Sequence, residues 1–194
     1  MNYPKTRLRR LRYNRNIRNM FEDISVKKSD LIQPIFLVEG KNIKKEIKSL
    51  TGQFQLSIDN AIDFCKSLMN DGVNSIILFG VSSEKDDTGE ISCSSQSIVP
   101  KAIKEIKNKF GDQLLVIADV CNCSYTNHGH CGTIVENDVD NDLTLETLSK
   151  QSLTLAKAGA DVLAPSDMMD GRVQSIRNKL DLAGFEKIPV FPYS

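Results

Sequence analysis

"QLLVIADVCNCSYTNHGHCG", residues 113–132, joins an unbroken apolar run to a loop holding three of the chain's five cysteines and both of its histidines. An apolar run without polar alternation is the pattern of a strand covered on both faces, as in a parallel sheet. Chemistry-bearing residues begin where the run ends, with Asp119 and then Cys121, Cys123 and Cys131. In parallel α/β architectures ligands sit at the carboxyl ends of the strands, so the stretch reads as a buried strand and its functional exit.

The same alternation extends in both directions. "LIQPIFLVEG" (31–40), "VNSIILFGV" (73–81), "DVLAPSD" (161–167) and the start of "KIPVFPYS" (187–194) read as further short strands, with Pro34 tolerated at a strand start or barrel rim. Residues 57–72 place Ile58, Ala61, Ile62, Cys65, Leu68 and Met69 at helical spacing, with Ser57 as N-cap and Gly72 as the stop. Ile98, Val99, Ala102, Ile103 and Ile106 mark a second helix over 97–110, and 143–160 reads as a third. A fourth covers 171–184, capped by Asp170. Strand and helix thus alternate four times before a fifth strand, which means a parallel sheet with helical crossovers. An open doubly wound sheet and part of an eightfold barrel both produce this order; the pattern alone leans to the open sheet, which five strands complete. Phe79 and Gly80 close the second strand, and reactive residues recur at the later exits: Asp119 and the cysteines follow the third, and Ser166 and Asp167 follow the fourth.

At 194 residues the chain is long enough to bury a real core, and its 25 basic residues balance 25 acidic ones. The balance is uneven. Lys5, Arg7, Arg9, Arg10, Arg12, Arg15 and Arg18 fall in the first 20 residues without an acid, leaving 18 basic against 25 acidic residues in the remainder. Such a start grips nucleic acid or an anionic membrane, or else is an arm packed on the acidic body of a neighbouring copy. Leu8, Leu11, Ile17, Met20 and Phe21 give it an apolar side, which favours packing, so neither nucleic acid nor membrane is expected as a partner. The division expected is a basic arm over 1–28 and the body of the protein over 29–194, which the resemblance given below makes a partial barrel and catalytic domain. A mitochondrial transit peptide is disfavoured because no serine precedes Ser25. No apolar run approaches the ~20 residues that span a bilayer and no signal-peptide core is visible, so a cytoplasmic protein is expected.

Three thiols at C-x-C-x7-C spacing can reach one ion, and thiolate is a soft ligand that favours zinc over hard cations. If His128 or His130 takes the fourth tetrahedral position, the site is closed and structural; if water or substrate takes it, the metal acts as a Lewis acid. Asp119 then stands as a proton-handling or ligand-orienting neighbour. Thiol redox chemistry and a merely polar loop are the competing readings. Three cysteines within eleven residues at a strand exit favour the metal. Cys65, on an apolar helix face, and Cys93, in a loop, read as incidental. Each histidine stays open as ligand, acid–base group or plain loop residue.

"DVCNCSYTNHGHCG" (119–132) together with "APSDMMDGRV" (164–173) closely resembles porphobilinogen synthase, also called delta-aminolevulinic acid dehydratase. "RLRRLR", "FEDISVKKSDLIQPIFLVEG", "LFGV" and "KDDTG" extend the resemblance along essentially the whole chain. It implies an α/β fold, a (β/α)8 TIM barrel of which this chain covers about five strands behind an N-terminal arm, and it displaces the open sheet. It also implies a hydro-lyase of tetrapyrrole (heme) biosynthesis that condenses two molecules of 5-aminolevulinate, with loss of two waters, to porphobilinogen. In the family's cysteine version, Cys121, Cys123 and Cys131 match the ligands of a catalytic zinc. Asp119 and Ser166 match pocket-lining positions, and His128 and His130 fall outside the ligand set. The arm implies a homo-octamer built from arm-wrapped dimers, and magnesium belongs to the complete protein.

One departure stands out. The family forms Schiff bases on two lysines, the first in a "SYSAK" segment, whereas this sequence reads "FPYS" and stops at Ser194. Lys85 and Lys150 fall in a polar loop and on a helix, where nothing desolvates an amine into a nucleophile. The expectation is therefore an incomplete, by itself inactive copy of the enzyme. A non-catalytic zinc-binding half-barrel is the alternative.

Overall fold

The computed structural model describes residues 2–193, which form two compact units, one up to Asp30 and one from Leu31 onward. In the first, Leu8–Arg12 makes a 3-10 turn and Arg15–Met20 a short helix, α1. Asn14 caps α1 by accepting the Ile17 N–H on its Oδ1 at 2.9 Å. A second 3-10 turn covers Lys28–Asp30. Six residues are too few for a helix stable by itself in water, and Leu8, Met20, Phe21, Ile24 and Val26 of this unit are all more than half exposed. The apolar side expected from the sequence exists, uncovered within the unit.

The second unit opens with β1 (Gln33–Leu37), β2 (Lys44–Glu46), β3 (Phe54–Leu56) and helix α2 (Ile58–Asn70). Then come β4 (Ser75–Gly80), α3 (Ile98–Phe110), β5 (Leu115–Val120), a small hairpin of β6 (Ile134–Val135) and β7 (Asp138–Val139), and α4 (Asn141–Ala158). β8 (Val162–Pro165) and α5 (Arg172–Asp181) complete the set. The main sheet has the order β2-β3-β1-β4-β5-β8. Within it β1, β4, β5 and β8 pair in parallel and in chain order. A further parallel bridge from Leu163 to Val190 starts the next rung. A doubly wound sheet reverses its strand order at a switch point. This ladder does not reverse, and winding on through helical crossovers is how a barrel is built. The lean toward an open sheet is thereby corrected.

Pleating explains why the strands lack alternation. Ile76, Leu78, Val116, Ala118 and Leu163 pack into the main core under the helices, while Ile77, Ile117, Val162 and Ala164, with Phe79, form a second apolar cluster on the opposite face. Successive residues alternate faces, so Asp119 continues the Ile117 face at the end of β5, and Ser166 continues that of Val162 and Ala164 just past β8. Both sequence-predicted pocket residues lie on the inner, barrel-side face at its C-terminal rim.

The structure adds a strand pair that the sequence reading lacks and differs from that reading at the starts of three helices. β1 is not an open edge, because β3 pairs with it in parallel and β2 with β3 antiparallel. Ser57 holds the N-cap position, but its Oγ takes the Ile43 N–H at 2.8 Å instead of capping α2. α4 starts at Asn141, behind Asp140, which accepts the Leu143 N–H at 2.9 Å. Asp170 does not cap α5. Gly171, at φ 76°, holds that position, and Asp170 instead donates its backbone N–H to Asn141 Oδ1 at 2.8 Å. Among the described residues no helix is long and apolar enough to cross a membrane.

Candidate metal centre

Cys121 stands one residue past β5, and the loop folds back so that Cys131 returns to it. The fold-back is local. The Asn122 carbonyl accepts the N–H groups of Tyr125 and Thr126 at 2.8 and 3.1 Å. Thr126 Oγ1 donates to the His130 carbonyl at 2.9 Å, and Gly129 takes a left-handed φ of 74°. As a result the Sγ atoms of Cys121, Cys123 and Cys131 lie within 4.8 Å of one another. Ligands ~2.3 Å from a tetrahedral ion stand roughly 3.8 Å apart. Three soft donors already at that scale fit one metal ion.

Cys121 is 4% exposed and donates its S–H to Cys123 Sγ at 3.4 Å. That bond and burial hold the Cys121 proton on, while accepting it favours the Cys123 thiolate. Burial raises Cys131 as well. His128 and His130 take no part in the cluster. The His128 ring places Nε2 3.1 Å from the Asp87 carbonyl and Nδ1 3.1 Å from the His130 N–H.

Two residues before the cluster, Asp119 Oδ1 accepts the Ser166 hydroxyl at 2.6 Å, joining the exits of β5 and β8. Burial pushes the Asp119 carboxyl up to about 7 against the opposing Ser166 hydrogen bond, and negative charge at Cys123 and Asp167 adds to the rise. The Asp167 side chain is wholly enclosed, which raises its acid as well. It holds the Met169 N–H at 2.8 Å and faces Arg172 Nε at 3.7 Å. Gly80, at the end of β4, is needed for space, since a Cβ there runs into the Tyr125 hydroxyl. Tyr125, Asn122, Asp86 and Gln151, whose Nε2 donates to the Cys121 carbonyl at 3.2 Å, were not singled out from sequence, because their partners lie 30 or more residues away; Arg172, five residues from Asp167, was missed as well. A cavity of about 220 Å³ between β1, β3 and α2, lined by Lys44, Phe54 and Asp63 among others, contains none of the site residues.

A family model described as delta-aminolevulinic acid dehydratase matches residues 5–194. The chain belongs to the delta-aminolevulinic acid dehydratase family. It is 44% identical over 194 residues to the delta-aminolevulinic acid dehydratase of Methanothermus sociabilis, covering 100% of this chain and 60% of that one. Against the Helicobacter pylori dehydratase it is 46% identical over 189 residues, covering 97% of this chain and 58% of that one. The chain thus spans about 60% of the length of these relatives. A solved delta-aminolevulinic acid dehydratase from Toxoplasma gondii, in complex with the reaction product porphobilinogen, superposes with a TM-score of 0.92 at 36% identity, covering 97% of this chain and 54% of that one. The fold is therefore that of part of the dehydratase barrel, as the sequence resemblance implied.

Proposed function

We propose that the chain carries the zinc-binding part of a porphobilinogen synthase active site, where two 5-aminolevulinate molecules condense to porphobilinogen with loss of two waters. One observation carries the reading: three sulfur atoms within 4.8 Å of one another stand just past a carboxylate already hydrogen-bonded to the serine of the next strand exit. Cys121, Cys123 and Cys131 hold the metal, and their softness selects zinc. Zinc held by these three thiolates would supply a Lewis acid at this rim. Asp119 and Ser166, fixed against each other, offer polar contacts to the substrate's amine and carbonyl groups above the apolar floor of Ile117, Val162 and Ala164. No lysine among residues 1–194 matches the Schiff-base positions that the resemblance implies, so none of them is given that part.

Two further elements belong to the reading. The uncovered apolar residues of the first unit support a homo-oligomer, an octamer by the family resemblance, with magnesium a component of the complete protein. Five free cysteines support a reducing, cytoplasmic location.

Zinc competition against a chromophoric chelator, with cobalt substitution to read sulfur-to-metal charge transfer, tests the metal. One ion per chain and loss of the band in Cys123→Ser are expected; a metal-free chain overturns the assignment. The 3.4 Å approach of Cys121 to Cys123 favours a redox thiol pair in that event. Adding 5-aminolevulinate should shift the cobalt spectrum, and a spectrum unmoved at saturating concentrations refutes the substrate. Borohydride with labelled 5-aminolevulinate should leave residues 1–194 unlabelled.

A further inference from the structure

A second loop, between β4 and α3, lies against the cysteine loop and has no part in the reading above. Asp86 organises it. Its Oδ1 accepts the N–H groups of Thr88, Gly89 and Glu90, and its Oδ2 that of Ile91 at 2.8 Å. The same residue's backbone is stitched to the cysteine loop. Its N–H donates to the Tyr125 carbonyl at 3.0 Å and its carbonyl accepts the Asn127 N–H at 2.9 Å, forming a parallel bridge between Asp86 and Thr126. Asp87 continues the seam, with Oδ1 accepting from Asn127 Nδ2 at 2.9 Å and its carbonyl beside His128 Nε2 at 3.1 Å. Farther on, Ser92 Oγ donates to Asn122 Oδ1 at 3.4 Å. Gly89, at φ +75°, comes so close to Asn122 that a Cβ would stand 2.9 Å from its side-chain carbons.

The positions gripped are 122 and 125–128, the residues strung between the three thiols. Neither Asp86 nor Asp87 belongs to the thiol cluster, and both Asp86 oxygens are occupied by backbone N–H groups. We propose that Asp86 is a positioning residue for the metal: it folds residues 86–92 into a splint that fixes the spacing of Cys121, Cys123 and Cys131 before the ion arrives. This rests on the metal reading of the three thiols. A free excursion through the nine residues between Cys121 and Cys131 has to be ordered on binding, an entropic cost subtracted from affinity. The splint meets that cost when the protein folds. Groups that orient metal ligands from behind change affinity by about 10–100-fold when removed.

The test is zinc affinity and the cobalt charge-transfer band of the purified protein, with helical circular dichroism as the check on folding. Asp86→Ala should lose about 10–100-fold in zinc affinity and broaden the sulfur band. Asp86→Asn, which keeps one acceptor oxygen, should recover most of the loss. Glu84→Ala, an exposed acid of the same loop, should bind as wild type. A folded Asp86→Ala protein with wild-type affinity overturns the proposal, as does an equal loss in Glu84→Ala, which marks general charge instead of the splint. If Asp86→Ala does not fold, Asn127→Asp decides, because it sets like charge against Asp87 at the surface: weakened zinc binding supports the splint and unchanged binding overturns it. A wild-type protein without the sulfur band overturns the metal reading and the splint together, whereas an intact band with unaffected variants overturns the splint alone.

Discussion

Gly80→Ala is the sharpest test of how strand and cysteine loop fit together. A Cβ at this position runs into the Tyr125 hydroxyl and stands 2.9 Å from Val99 Cγ2 and 3.1 Å from Tyr125 Cζ. Carbon pairs settle at roughly 3.5–4.0 Å, so ring and strand must separate by about half an ångström or more. Tyr125 is 5% exposed and cannot swing aside like the end of a long flexible side chain. Overpacking of this kind costs about 1–3 kcal/mol. At roughly 2–4 °C per kcal/mol for a domain of this size, Tm should fall by about 2–12 °C. Because Tyr125 donates its N–H to Asn122 and receives that of Asp86, the displaced ring also drags on the thiols, and zinc affinity should fall with it. Thermal and urea unfolding give the stability. Repeating the substitution in a Tyr125→Phe background gives its cause, since removing the oxygen relieves only the closest contact. A coupling energy of about 0.5–3 kcal/mol is expected between the two sites. Gly80→Ala within about 0.5 kcal/mol of wild type, or a loss that Tyr125→Phe leaves untouched, refutes the packing argument.

Three further outcomes follow from the same geometry. Asp161 accepts the Val116 N–H at 2.7 Å and Lys107 Nζ at 2.9 Å, so Asp161→Ala should cost about 1–3 kcal/mol by urea unfolding, and Lys107→Met less, since it leaves that N–H its acceptor. Burial pushes the Cys65 thiol up from 9.0 to about 12. Between those values the unfolded chain releases a proton that the folded chain keeps, so stability is full below pH 9 and declines toward pH 12. Cys65→Ala should flatten that decline by up to about 1.4 kcal/mol per pH unit in pH-dependent urea unfolding. Restoring zinc to chelator-stripped protein at a hundredfold excess over its Kd should add about 2.7 kcal/mol to unfolding, and a Tm indifferent to zinc removes the metal from the folded state.

What the sequence made legible follows physical range. Ile76 to Phe79 and Val116 to Ala118 are apolar on both faces, and α2 and α3 carry full helical periodicity, so burial wrote these elements into the local pattern. β2 is Lys-Lys-Glu, every residue exposed, and exists only because β3 pairs with it, which no hydrophobic period announces. The β6–β7 hairpin turns through Glu136 and Asn137, both at positive φ, where the expected signal is a glycine. Barrel and open sheet share one alternation of elements; only the pairing order of β1, β4, β5 and β8 separates them.

The site divides along the same line. The three thiols were legible because all lie in one loop, Asp119 because it is the polar residue closing a buried strand, and Ser166 because it follows one. Asp86 looks like an ordinary solvated turn until its partners, some 40 residues away, are known. Yet those partners follow from the winding. In a ladder whose strands pair in chain order, consecutive exits must be neighbours, so each exit loop is steadied by the one before or after it. Asp86 against Thr126 joins the exits of β4 and β5, Asp119 against Ser166 those of β5 and β8, and Asn141 against Asp170 the end of the cysteine-bearing segment to the start of α5. The residues that hold a metal loop in such a fold are therefore to be sought one strand back, which is where Asp86 stands.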